Sequence, residues 1–142
     1  MKIASVLIIT GTSFSGIGQT TNQFQSDVKS TFQLIVDLPE LQQYYHVGAD
    51  TSGRQLIFQE FDQVDQNSLT GVTKFGRQLV VLSGNQIKEN EIKCYFVVDD
   101  FNYNENSLKL RLSYVGEGLM ISCEFKKHTG IWYITDSKLV EK

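Results

Sequence analysis

The sequence predicts an α+β domain in which N-terminal helices pack on a curved antiparallel β-sheet of five or six strands. Three observations carry that prediction. Apolar residues up to about residue 45 recur at helical spacing, and from residue 54 onward they recur at every second position. Glycine-bearing turns then separate the alternating runs, the pattern of sequential hairpins.

Taken in order, residues 20–36 place Phe24, Val28, Phe32 and Ile35 at spacings of four, four and three. That is one apolar stripe on a helix, with the Gln, Ser, Asp and Lys residues assigned to the opposite side. Thr20, Thr21 or Asn22 can cap its start. In "DLPELQQYYH" Asp37 suits an N-cap, Pro39 the first turn and Glu40 a capping box, so a second helix is expected over 38–45, turning Leu38 and Leu41 inward. "RQLIFQEF" (54–61) and "VTKFGRQLVVL" (72–82) read as strand regions, with Gly76 at a bend or bulge. Ile92, Cys94, Phe96 and Val98 then alternate with Lys93, Tyr95, Val97 and Asp99, and Leu108 to Tyr114 and Leu119 to Phe125 alternate in the same way. Gly116-Glu117-Gly118 and "KHTG" are the turns that follow, the second leading into "IWYIT" (131–135). Alternation implies one packed and one solvated sheet face, with the helices as the cover.

The stretch "VLIITGTSFSGIGQTT" (6–21) resembles the nucleotide loop of short-chain dehydrogenases at Thr10, Gly11, Gly16, Ile17 and Gly18. Its spacer Thr12-Ser13-Phe14-Ser15 is one residue too long, no Tyr-x-x-x-Lys pair exists, and the repeated strand–helix–strand units of that fold are missing. No cofactor is therefore expected. As an export leader the residues fit better. Lys2 is the positive start, Ile3 to Ile9 the short apolar core, and Gly16 and Gly18 the −3 and −1 positions of a cleavage site before Gln19. The expected organisation is a secretory signal over 1–18, cleaved near Gly18/Gln19, and one domain over 19–142 that is periplasmic or secreted. The apolar run is too short to span a bilayer.

Loss of Lys2 takes the formal net charge from −3 to −4, which offers no basis for nucleic-acid binding. Cys94 and Cys123 are both expected on the buried sheet face, with the strand over 107–115 between them. Two strand spacings, about 10 Å, exceed the reach of a disulfide, about 7 Å. Two free, buried thiols are the expectation.

Helices followed by a meander with a closing Gly130-x-Trp132-x-Ile134 strand resemble the cystatin-like roll of nuclear transport factor two. The segments "FKKHTGIWYITDSKLVEK" and "LPELQQYYH…FGRQLVVLSG" are similar to small exported bacterial domains of unknown function. The resemblance spans most of residues 37–142 and implies a fold that hosts isomerases, dehydratases and plain binding modules, so it assigns no activity.

Chemistry-bearing residues are few. His46 and His128 have no second ligand at metal spacing, and no metal is expected. "DDFNYNENS" (99–107) offers Asp100, Asn102 and Asn104 at calcium-loop spacing, yet Glu105 and Arg111 stand where Gly and Glu are required, so it reads as a polar hairpin loop. Lys93, Lys109, Arg111 and Lys126 with Tyr95 read as a solvated face held by cross-strand charge pairs. The favoured function is a non-catalytic binding module of the cell envelope, its ligand a protein or small molecule. The rival is a roll enzyme or small-molecule binder with a helix–sheet pocket near Tyr45, His46 and Tyr114. A homodimer through an exposed sheet face or edge is a further expectation.

Overall fold

The computed structural model describes residues 22–45 and 55–142. The expected leader 1–18, the caps Thr20 and Thr21, and His46 lie outside the described residues. The first described element, α1, is helical over 22–36. Phe24, Val28, Phe32 and Ile35 pack into the core as their spacing requires, and Asp27 and Thr31 lie on the same face, both buried. This corrects the placement of Asp27 on the wet side. The Thr31 hydroxyl is satisfied inside the helix, donating to the carbonyls of Asp27 (2.8 Å) and Val28 (3.1 Å).

The segment after α1, expected as a second helix over 38–45, forms a 3-10 helix, Pro39–Tyr45. Its side chains close the end of α1, whose last carbonyls have no partner within the helix. Gln42 donates to the carbonyls of Val36 (3.1 Å) and Leu38 (2.7 Å), and the Tyr45 hydroxyl to that of Val36 (2.9 Å). The Asp37 carboxylate, read as a cap, faces Gln33 (2.9 Å) and Lys74 (3.0 Å).

A six-stranded sheet follows, in the order β4-β1-β5-β6-β7-β8. Its strands are β1 (Ile57–Gln59), β4 (Val80–Leu82), β5 (Tyr95–Asn104), β6 (Ser107–Val115), β7 (Leu119–His128) and β8 (Ile131–Glu141). β5 to β8 are the expected antiparallel meander. β1 lies parallel to both β4 and β5, a pairing that alternation alone does not encode. Between β1 and β4 a small hairpin joins β2 (Thr73–Lys74) to β3 (Arg77–Gln78). Its turn is Phe75-Gly76, both at positive φ (57° and 74°), the backbone of a type I′ hairpin turn. The Gln33 side chain bridges to this hairpin, donating to the Thr73 carbonyl (2.9 Å) and accepting from its amide (3.1 Å).

A short helix, α2 (Gly84–Glu89), precedes β5. Ser83 and Gln86 form a reciprocal capping box at its start, with bonds of 3.1 and 2.8 Å.

Two bulges reset the alternation. One falls at Asp99 in β5, between Val98 and Asp100, and the other at Thr135 in β8, opposite Glu124/Phe125. Past the first, Phe101 and Tyr103 turn to the core side, so residues 99–104 are strand and the expected polar loop shrinks to a tight turn. The Asn104 side chain accepts from the amides of Asn106 and Ser107, both 2.9 Å, and fixes that turn.

The core is built around a chain of rings. Phe32 meets Phe58 (5.5 Å), Phe58 stacks on Phe96 (4.6 Å), and Phe96 stacks on Tyr114 (4.1 Å). Tyr114 contacts Tyr45 (6.1 Å), which contacts Phe75 (5.4 Å). The rings run from α1 through the sheet to the 3-10 helix, and each contact adds about 0.5–1.5 kcal/mol to the area it buries. Both cysteines are free, as expected, but only Cys123 is buried. Cys94 precedes β5 and is exposed, because the ladder that would cover it begins at Tyr95↔Val115.

Candidate functional site

Of the three side chains expected near a ligand pocket, Tyr45 and Tyr114 are buried core residues. Tyr45 and Tyr114 do come together, with ring centres 6.1 Å apart, and both are buried. His46 lies outside the described residues.

A second group of polar side chains, unforeseen in the sequence, gathers around Asp27. Its carboxylate accepts from the Tyr103 hydroxyl (2.5 Å), the Trp132 indole N–H (2.8 Å) and the Gln23 amide (2.9 Å). The Lys127 ammonium completes the set at 3.0 Å and lies over the Trp132 ring, 5.3 Å from its centre. α1 supplies Gln23 and Asp27, β5 supplies Tyr103, β7 supplies Lys127 and β8 supplies Trp132. Burial alone would raise the Asp27 pKa, yet the bonds from Tyr103, Trp132, Lys127 and Gln23 outweigh it and hold the carboxyl below its ordinary value. Burial, the hydrogen bond to Asp27 and that residue's charge push the Tyr103 phenol up, so the shared proton stays on Tyr103. No buried side-chain polar atom among the described residues lacks a partner. The cluster locks α1 to three strands.

The signal for this cluster was present in the sequence. Positions 24, 27, 28, 31, 32 and 35 follow helical spacing, and Asp27 sits within that stripe. A carboxylate inside an apolar stripe implies a buried cation or donors opposite it.

Two open concavities border the molecule, the second of them touching the cluster at Trp132. A cleft of about 420 Å³ beside α2 is bordered by Gln59, Ile87, Lys88, Glu91, Lys93 and Tyr95. A groove of about 370 Å³ runs between α1 and the start of β8, lined by Ser30, Gln33, Leu34, Gly130, Ile131 and Trp132. Among the described residues no group of three or more His, Cys, Asp or Glu side chains is arranged to hold a metal ion. His128 is exposed at the end of β7.

On the solvated sheet face the register sets Arg111 opposite Asp100 and Lys109 opposite Glu124, in line with the expected charge pairing. It also sets Glu124 opposite Asp136, a like-charge pair beside Lys109. Among the described residues, no helix is long and apolar enough to cross a membrane.

The most unusual surface belongs to β8. This strand is eleven residues long and ends the sheet, so one side of its backbone has no neighbouring strand among those described. The exposed large apolar residues of the described chain all lie on it: Ile131 at 57%, Tyr133 at 47% and Val140 at 44% exposure. The opposite edge, β4, is only three residues long, the usual way of blunting an edge. β8 is tied to α1 and the 3-10 helix through Trp132–Asp27 (2.8 Å), Ser137–Glu40 (3.3 Å) and Tyr44–Glu141 (2.7 Å).

No protein-family model, curated protein or solved structure matches this chain.

Proposed function

We propose that this chain is a non-catalytic interaction module of the cell envelope, exported by its N-terminal leader and binding other chains along the β8 edge. The observation that carries the reading is the concentration of exposed apolar residues on one long terminal strand. A strand with free backbone donors and acceptors is a ready template for an added strand, and its outward side chains supply the specificity. The rigid backing of β8 by the Asp27 cluster supports this reading, because a preorganised edge loses little entropy on pairing.

The test is photo-crosslinking in the native cells, with a photoreactive residue at Tyr133 on the edge strand or at Asn102 on the solvated face of β5. A crosslinked species is expected from position 133 in the envelope or secreted fraction, and none from position 102. Absence of any product at 133, or accumulation of the chain in the cytosol with an intact Met1, would overturn the proposal.

A further inference from the structure

The geometry points to a second copy of this chain as the occupant of the β8 edge, the two strands pairing antiparallel about a two-fold axis at Ser137. This rests on the reading of β8 as the binding edge and names its partner. The backbone sets the first condition. The Lys142 amide donates to the Gly118 carbonyl (2.7 Å), continuing the Leu119↔Glu141 register of β7 and β8. Backbone groups of an antiparallel strand alternate between its two neighbours. Lys142, Val140 and Lys138 therefore turn toward β7, and Glu141, Leu139 and Ser137 turn toward the open edge.

Symmetry sets the second condition, since a two-fold interface brings each residue against the partner's reciprocal one. An axis at Lys138 would oppose two lysines, and an axis at Asp136 would oppose two aspartates. Like charges directly opposite each other destabilise a strand pair. An axis at Leu139 would leave Ile131 and Tyr133 outside the paired segment. At Ser137 the axis sets Asp136 opposite the partner's Lys138, and the same pair forms again on the other side.

The bulge meets the third condition. Thr135 is the extra residue of β8, so that Asp136 follows Ile134 in the ladder. Carried into the new pair, the same offset sets Leu139 opposite the partner's Ile134 and Val140 opposite the partner's Tyr133. The half-buried residues then meet on the core side, and two of the three exposed apolar residues meet on the outer side. One register thus satisfies backbone, charge and side-chain facing together, and it joins the two sheets into one.

Sedimentation velocity on the full chain tests this. The wild-type chain is expected to sediment as a dimer. Asp136→Lys alone, or Lys138→Asp alone, sets like charges opposite each other twice and is expected to weaken the dimer by about tenfold. The double swap, Asp136→Lys with Lys138→Asp, restores opposite charges and is expected to recover the wild-type mass. Ser137→Pro removes an amide that faces the open edge and is expected to give a monomer. Unchanged Trp132 fluorescence confirms folding in each variant. A monomeric wild type at about 100 µM, a dimer that survives Ser137→Pro, or a double swap that fails to recover the dimer would each overturn the self-pairing. A crosslink from position 133 to a foreign chain, with a monomeric wild type, would remove the self-pairing and leave the proposed function standing.

Discussion

Asp27 shows how one residue can decide the architecture around it. Its carboxylate is buried, and four side chains from α1, β5, β7 and β8 donate to it. Replacing it by Asn removes the charge and leaves Lys127 with an uncompensated ammonium among largely buried groups. Asp27→Asn is expected to lower stability by about 3 kcal/mol, the scale of breaking one side of a buried pair, as read by urea unfolding. The pH dependence follows from the direction of the shift. The folded carboxyl pKa lies below the unfolded value of about 3.9, so the folded state holds fewer protons. Its contribution is present above the unfolded pKa and is lost as pH falls through the folded one. Trp132, the single tryptophan, reports the event, since its indole bonds the same carboxylate. Its fluorescence should stay native down to about pH 4, and Asp27→Asn should flatten the acid dependence of stability below it. An unchanged acid limb in Asp27→Asn would show that the cluster does not set it.

At the scale of elements, the turns carry as much of the specification as the strands. Gly116 sits at φ +97°, and a Cβ there would lie 2.5 Å from the Lys93 carbonyl and 2.7 Å from the Cys94 sulfur. The β6–β7 turn and the entry to β5 are thus pressed together at one point where only glycine fits. Gly116→Ala is expected to cost about 3 kcal/mol from left-handed strain and the backbone clash combined, whereas Gly118→Ala, with open space at its Cβ, should cost about 1 kcal/mol. Paired thermal melts would measure the difference, and equal losses would refute the close-approach argument. The Gly116-Glu117-Gly118 turn was readable in the sequence, but the contact with Lys93 and Cys94 was not, because it joins segments more than twenty residues apart. Thr135 poses the same problem. The alternation of "IWYIT" stops there, so the strand was read as ending at 135, although beyond the bulge Ser137 and Leu139 resume the inward positions.

For the whole molecule the two thiols make a pair of internal probes. Burial, with the negative charges of Glu40 and Asp136 nearby, pushes the Cys123 thiol up to about 12, so it holds its proton and is shielded in the folded state. Cys94 is exposed. A disulfide reagent at neutral pH is expected to modify one thiol per chain quickly, and the second only at the rate of global unfolding. Two fast thiols in the folded protein would mean that β6–β8 open locally over the core. The ring chain from Phe32 to Phe75 argues against such opening, because it crosses α1, the sheet and the 3-10 helix without a break. The same continuity buries Tyr45 and Tyr114 against each other.

Local pattern alone was enough for the fold class, α1, the meander β5 to β8, most of its turns and the two free thiols. Each of these rests on local periodicity or on a spacing that any strand geometry imposes. The α2 capping box at Ser83 and Gln86 was also legible, as a Ser three residues before a Gln, although periodicity alone passed over so short a helix. The tertiary structure decided the rest. The parallel placement of β1 depends on Phe58 finding Phe96 and Val81 across the chain, and alternation does not specify a neighbour. The face taken by Asp27 depends on Tyr103, Lys127 and Trp132, which converge only once the strands have paired. Burial of a carboxylate is unfavourable until its partners arrive, so local pattern assigned it to water and the assembled sheet brought it inside.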